Sequence, residues 1–197
     1  MSITPSSRFL KNKFSVFFII FIVSAFFLGR TVKTTSYFNP DEPWWISISS
    51  ATTDWIAHGD FSYATWRAPG YTADISVTSP PVAKYLMGFS LRLSGFKKPL
   101  WYPWDWSKTK NENVALGNLP SAKILAAARL PSVIAAAITI SLIGYLVFLC
   151  TNNWITVTFS CLSLGLHPIF LDSARFAMLD MPAAALSTLG VLLMIGL

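Results

Sequence analysis

From residue 131 to residue 197 the chain carries only three charged residues, Asp172, Arg175 and Asp180. A water-exposed surface cannot be assembled from such a stretch, because soluble surfaces are roughly a quarter to a third charged. The apolar residues instead fall into long runs. Residues 130–150, 154–166 and 176–197 are separated by the short polar connections Thr151-Asn152-Asn153 and His167-Pro168. An earlier charge-free run, residues 14–29, follows Arg8, Lys11 and Lys13. At about 1.5 Å per residue these runs approach the roughly 30 Å hydrocarbon core of a bilayer. The pattern predicts an all-α, polytopic membrane protein with four spans at those positions, 154–166 being the shortest.

Composition supports the same class. Charged residues are 12% of the 197, against about 25% in soluble domains, and apolar residues are 53%. Low hydrophobicity and high charge mark disorder, and this chain has neither. The two cysteines, Cys150 and Cys161, both lie in apolar runs, which excludes a disulfide scaffold. The net charge of +6 comes without a Lys/Arg cluster, so nucleic acid is not an expected partner. The first run competes with a cleaved signal peptide, but its one small-residue pair, Ser24-Ala25, lies inside the run rather than after it. An uncleaved anchor is expected. Basic residues ahead of it put the N-terminus in the cytoplasm and residues 30–123 outside. The sequence ends within an apolar run and reads as the N-terminal part of a longer membrane domain.

The 30–123 segment holds seven of the eight tryptophans and seven of the nine acidic residues. Tryptophan favours the headgroup level, so this loop is expected along the membrane surface. Asn39-Pro40-Asp41-Glu42 has the form of a helix start, with Asn as cap, Pro at the first position and Glu three residues on. An amphipathic helix with an aromatic face is predicted over 41–57, ending near His58-Gly59. Residues 82–93, after Pro80-Pro81, are too few to span and predict an interfacial or re-entrant helix. Residues 97–118 read as irregular loop.

Three groups of polar residues call for explanation. Asp41 and Glu42 suit a first helical turn through the helix dipole; two adjacent carboxylates also suit a general base with a partner or metal ligand. Asp172 and Arg175 are three apart, as in a helical ion pair. Asp180 lies beyond them in the apolar run, where a charge is costly, and is read as functional. Lys84 and Arg129 near the outer interface suit snorkelling, or a clamp on a lipid-linked phosphate. His58 and His167 show no metal-ligand spacing, and no phosphate loop or nucleophile elbow occurs.

In order, the motifs resemble the start of a GT-C glycosyltransferase, in particular the protein O-mannosyltransferases and lipid A aminoarabinose transferases. They are Phe38-Asn39-Pro40-Asp41-Glu42, His58-Gly59-Asp60-Phe61, Pro80-Pro81-Val82-Ala83-Lys84, Ala128-Arg129-Leu130-Pro131 and Ala174-Arg175-Phe176-Ala177-Met178-Leu179-Asp180. Two features depart from the family. Thr78-Ser79 stands where relatives carry His or Glu-Lys before the Pro pair, and residues 101–106, rich in Trp, match no family motif. The resemblance implies inverting transfer of a sugar, mannose-like or similar, from a polyprenyl-phosphate donor to a protein, lipid or glycan acceptor. The site would face outward from a bacterial plasma membrane or an ER-type membrane. It implies Asp41 as catalytic base with Glu42 beside it, and Lys84, Arg129, Arg175 and Asp180 on the phosphate and sugar, with a divalent metal as a candidate cofactor. This part alone is not expected to turn over. The competing class is a non-catalytic membrane subunit or a lipid-binding or ion-coupled transport component, which a buried Asp would also suit; transporters usually show repeated halves with broken spans, which this sequence does not display.

Overall fold

Pro131 sits inside a helix rather than ahead of one. The computed structural model describes residues 5–30, 39–59 and 81–194, with side chains from residue 15 in the first stretch. The described residues form eight helices and no strand: α1 Pro5–Gly29, α2 Glu42–Ala57, α3 Pro81–Leu93, α4 Lys110–Ala115, α5 Ala122–Thr151, α6 Trp154–Gly165, α7 Pro168–Arg175 and α8 Asp180–Met194. Asp60-Phe61 and Ser79-Pro80 lie outside the described residues, as do Thr31 onward to Phe38.

α5 is the hub, packing against α1, α3, α6, α7 and α8. Its 30 residues begin eight before the predicted span, so Ala122 to Arg129 are helical too. The early start is possible because α3 repairs the break that Pro131 causes. Proline supplies no N–H to the Ala127 carbonyl; the Ser90 hydroxyl of α3 donates to that carbonyl at 2.6 Å instead. α5 is apolar on all sides, as a central helix must be. It is also the one described helix long and apolar enough by itself to cross a membrane.

The other three predicted spans come out differently. α1 extends toward the N-terminus, and its described apolar part, Ser15–Gly29, is a short apolar helix. The 154–166 run makes α6, which meets α7 at a 67° bend; the pair is a broken span or a re-entrant loop. The last run does not begin at Phe176. α7 ends at Arg175, residues 176–179 are non-helical, and α8 starts at Asp180. The broken chain path, unexpected from sequence, follows Pro168 at the start of α7 and Pro182 in the first turn of α8.

α2 and α3 match their predicted ranges closely and run in the same direction. Gly88 lies against Ser49 and Thr53, and Arg92 reaches Asp54 at 3.6 Å. A Cβ at Gly88 would collide with the Thr53 side chain and the Ser49 carbonyl, so glycine sets this close approach. The face of α2 that is buried is not the aromatic one. Residues 46–52 are buried all round, several of them serine or threonine, while Trp44, Trp45 and Trp55 are half-buried.

The stretch after α3 is more ordered than its composition suggests. Gly95 (φ +95°) ends α3 with a bond from Phe96 N–H to the Leu91 carbonyl. Leu100 N–H and Tyr102 N–H donate to the hydroxyls of Ser50 and Ser47 on α2, each at 2.9 Å. Asn113, fully buried, accepts from Asp105 N–H and donates to the Asp105 carbonyl, both at 2.9 Å. Thr109 and Glu112 form a capping box that starts α4.

Candidate functional site

The first turn of α2 holds the most densely bonded carboxylate among the described residues. Arg129 donates to Glu42 through Nε to Oε1 and through its terminal nitrogen to Oε2, both at 2.7 Å. Ala177 N–H, in the break between α7 and α8, donates to Oε1 at 2.7 Å, and Asn39 N–H to Oε2 at 3.2 Å. A carboxylate offers about four acceptor positions, and all are taken. Glu42 is 0% and Arg129 1% exposed. The bidentate geometry and the two backbone donors are the conditions under which a buried ion pair is tolerated.

Local sequence explains how Glu42 arrives there. Asn39 Oδ1 accepts from Asp41 N–H at 2.9 Å, and Glu42 N–H donates to the Asn39 carbonyl at 3.0 Å. Glu42 Oε2 also accepts from Asn39 N–H, so Asn39 and Glu42 are tied together ahead of the helix; the helix itself begins at Glu42 with Asp41 as its cap, two residues later than the Asn39 cap expected from sequence. The same carboxylate therefore closes its own helix start and clamps α5 and the 176–179 break. Asp41, next to it, is half-buried, and its side chain makes no capping bond.

The cations lie at several depths. Lys84, in the first turn of α3, is 1% exposed, and burial pushes its ammonium below the usual lysine value. Its neighbour Ala83 packs in one cluster with Ala128 and Ala177, which flank Arg129 and Phe176 in sequence. Arg129 and Arg175 share one aromatic neighbour, lying 5.7 Å and 5.9 Å from the centre of the Phe176 ring. Arg175 also pairs with Asp172 in the last turns of α7. The ion pair expected from the i,i+3 spacing is present, at a helix end rather than a helix start. Asp180 is exposed, opens α8, and among the described residues makes no ion pair. An acid in a first turn also complements the helix dipole.

Glu42, Arg129 and Ala177 are thus brought together, with Asp41 and Phe176 adjacent in sequence. Ala177 and Phe176 were not singled out from sequence, and a backbone N–H carries no sequence signal. Among the described residues no three His, Cys, Asp or Glu side chains converge. With Glu42's acceptors occupied, Asp41 alone is a poor fit for a divalent metal.

An apolar groove of about 410 Å³ opens between α3, α5 and α8. Val82, Leu86, Leu130, Pro131 and Pro182 are among its walls, close in sequence to Lys84, Arg129 and Asp180. No family model, characterised protein sequence or solved structure matches this chain.

Proposed function

We propose that the chain belongs to a polytopic membrane glycosyltransferase that moves a sugar from a polyprenyl-phosphate donor to a protein, lipid or glycan acceptor at the extracytoplasmic face. The observation that carries this reading is the division of labour between two adjacent carboxylates. Glu42 is saturated and buried, while Asp41, the N-cap residue, is half-buried and its side chain makes no capping bond. A base must be able to accept a proton from an attacking hydroxyl. Glu42 would have to surrender a bond to do so; Asp41 would not. Asp41 is therefore the base and Glu42 the group that positions it.

The leaving group is a lipid phosphate whose developing charge needs cations. Lys84, Arg129 and Arg175 are the candidates. Arg129 contributes through its fixed charge, since its Nε and one terminal nitrogen are already committed to Glu42. The groove between α3, α5 and α8 suits a prenyl chain, being lined almost wholly by apolar side chains. Membrane location is supported by exposed apolar stripes: Phe18, Ile22 and Phe26 on α1, and Ile155, Phe159 and Leu162 on α6.

The breaks at 165–168 and 176–179 favour a second reading, an ion-coupled transport component, since such proteins unwind helices at their sites. Transfer of labelled sugar from a polyprenyl-phosphate donor, in membranes carrying the whole protein, separates the two. Asp41→Asn is expected to reduce transfer by about 10²–10⁴-fold with insertion unchanged. Full transfer by that variant removes Asp41 as base. Donor-independent ion flux without transfer favours the transport component.

A further inference from the structure

α3 is built inside out. Its buried side carries Lys84, Gly88 and Ser90 beside Ala83, Met87 and Leu91. Its outer side is apolar: Val82, Tyr85, Leu86, Phe89 and Leu93, at i, i+3, i+4, i+7 and i+11, are 38% to 73% exposed. A helix in water has the opposite arrangement. Immediately after the Gly95 turn come two exposed lysines, Lys97 and Lys98. Leu100 and Tyr102 are then tied through their backbone N–H groups to Ser50 and Ser47. Residues 100 and 102 are half-buried, and Trp101 between them is 47% exposed. Trp106 is 69% exposed. The tryptophans are therefore displayed from a stretch fastened to α2.

We propose that this face is a binding surface for anionic phospholipid headgroups, with α3 lying along the acyl boundary and Trp101 and Trp106 at headgroup level. It rests on the membrane part of the reading above, not on sugar transfer. An apolar stripe followed closely in the chain by two exposed indoles is the composition of an interfacial element. The charge is complementary as well. Arg92 faces Asp54, and Asp105 is neutralised by Lys108, so neither acid offsets Lys97 and Lys98. Each cation near an anionic surface strengthens association by about five-fold at low salt, an advantage that salt screens.

The test uses the full chain in bilayer discs of phosphatidylcholine, with brominated phosphatidylglycerol or brominated phosphatidylcholine added as tryptophan quencher. The chain is expected to be quenched at lower fractions of brominated phosphatidylglycerol than of brominated phosphatidylcholine. Lys97→Gln with Lys98→Gln should lose that preference by several-fold to more than ten-fold, and Lys97→Arg with Lys98→Arg should keep it. Trp101→Phe with Trp106→Phe should remove most of the quenching difference. An undiminished preference in the Gln pair, or a quenching difference untouched by the Phe pair, overturns the proposal while leaving the membrane reading intact. Saturable binding of an acidic protein to this face, lost in the Gln pair with lipid quenching unchanged, overturns it in favour of a protein partner. Release of the wild-type chain from membranes by alkaline carbonate overturns the membrane reading itself.

Discussion

Glu42 and Asp41 are chemically near-identical neighbours in opposite hydrogen-bonding states, and their variants should fail in opposite ways. Glu42→Ala removes the carboxylate from buried Arg129 and strips Ala177 N–H and Asn39 N–H of an acceptor. Loss of one member of a buried pair typically costs about 3–5 kcal/mol. Thermal unfolding in detergent should show that loss for Glu42→Ala and little change for Asp41→Asn. Equal destabilisation by the two would remove the assignment of separate roles. Arg129→Lys should behave more like Arg129→Ala than like wild type, because an ammonium cannot reproduce the two-pronged contact. Asp180, by contrast, opens a helix at an exposed position, and Asp180→Asn should change stability by no more than about 1 kcal/mol.

Helices here depend on one another at identifiable atoms. Ser90→Ala would leave the Ala127 carbonyl without the donor that replaces the N–H missing at Pro131, at a cost of about 1–3 kcal/mol. Ser90→Ala combined with Pro131→Ala should recover much of the loss, since α5 regains its own bond; a double variant as unstable as the single one contradicts this account. The stretch 105–118 answers to pH. Asp105 is held down to about 2 by hydrogen bonds from Lys108 and Ser107. Its native value lies below the unfolded one, so its stabilising contribution is present above the ordinary carboxylate range and is lost as pH falls toward 2. Trp104 and Trp106 flank Asp105. Their fluorescence should report loosening of this stretch between about pH 4 and 2, and Asp105→Asn should remove the transition. The helix starts at Asn39-Pro40-Asp41-Glu42 and the Thr151-Asn152-Asn153 turn were readable from sequence because their determinants are local. Asn152 takes the left-handed conformation and Asn153 caps α6 through Ile155 N–H. The order within 97–118 was not readable, because Ser47 and Ser50 reach it from α2 and Asn113 binds Asp105 through a contact that no local motif marks.

At the scale of the molecule, α5 threads the assembly: α1, α3, α6, α7 and α8 pack on it, and α2 reaches it through the Glu42–Arg129 ion pair. Small residues allow the approach. At Gly144 a side chain would press on Cys161 of α6 and Ile20 of α1 together. Gly144→Leu should therefore separate α1 and α6 from α5 at once, lowering the midpoint of thermal unfolding by several degrees, as overpacking of about 1–3 kcal/mol would. Among the described residues one helix is long and apolar enough to cross a membrane by itself, and the bent α6–α7 pair makes a second if taken as one span. The outward stripes of α1 and α6 remain apolar, so the all-helical, water-averse character inferred from composition persists although the chain path differs.

Sequence by itself determined the helical class, the apolar outer character, and the ranges of α2 and α3. Each follows from periodicity, composition or contacts within a few residues. Tertiary structure decided which of two adjacent acids is buried, that Arg129 sits within a helix, and that Asp180 opens one. Those outcomes depend on where the chain can break: the 176–179 break is held by Ala177 N–H on a carboxylate 135 residues earlier. A hydrogen bond over that separation leaves no periodic trace, so only the folded arrangement reveals it.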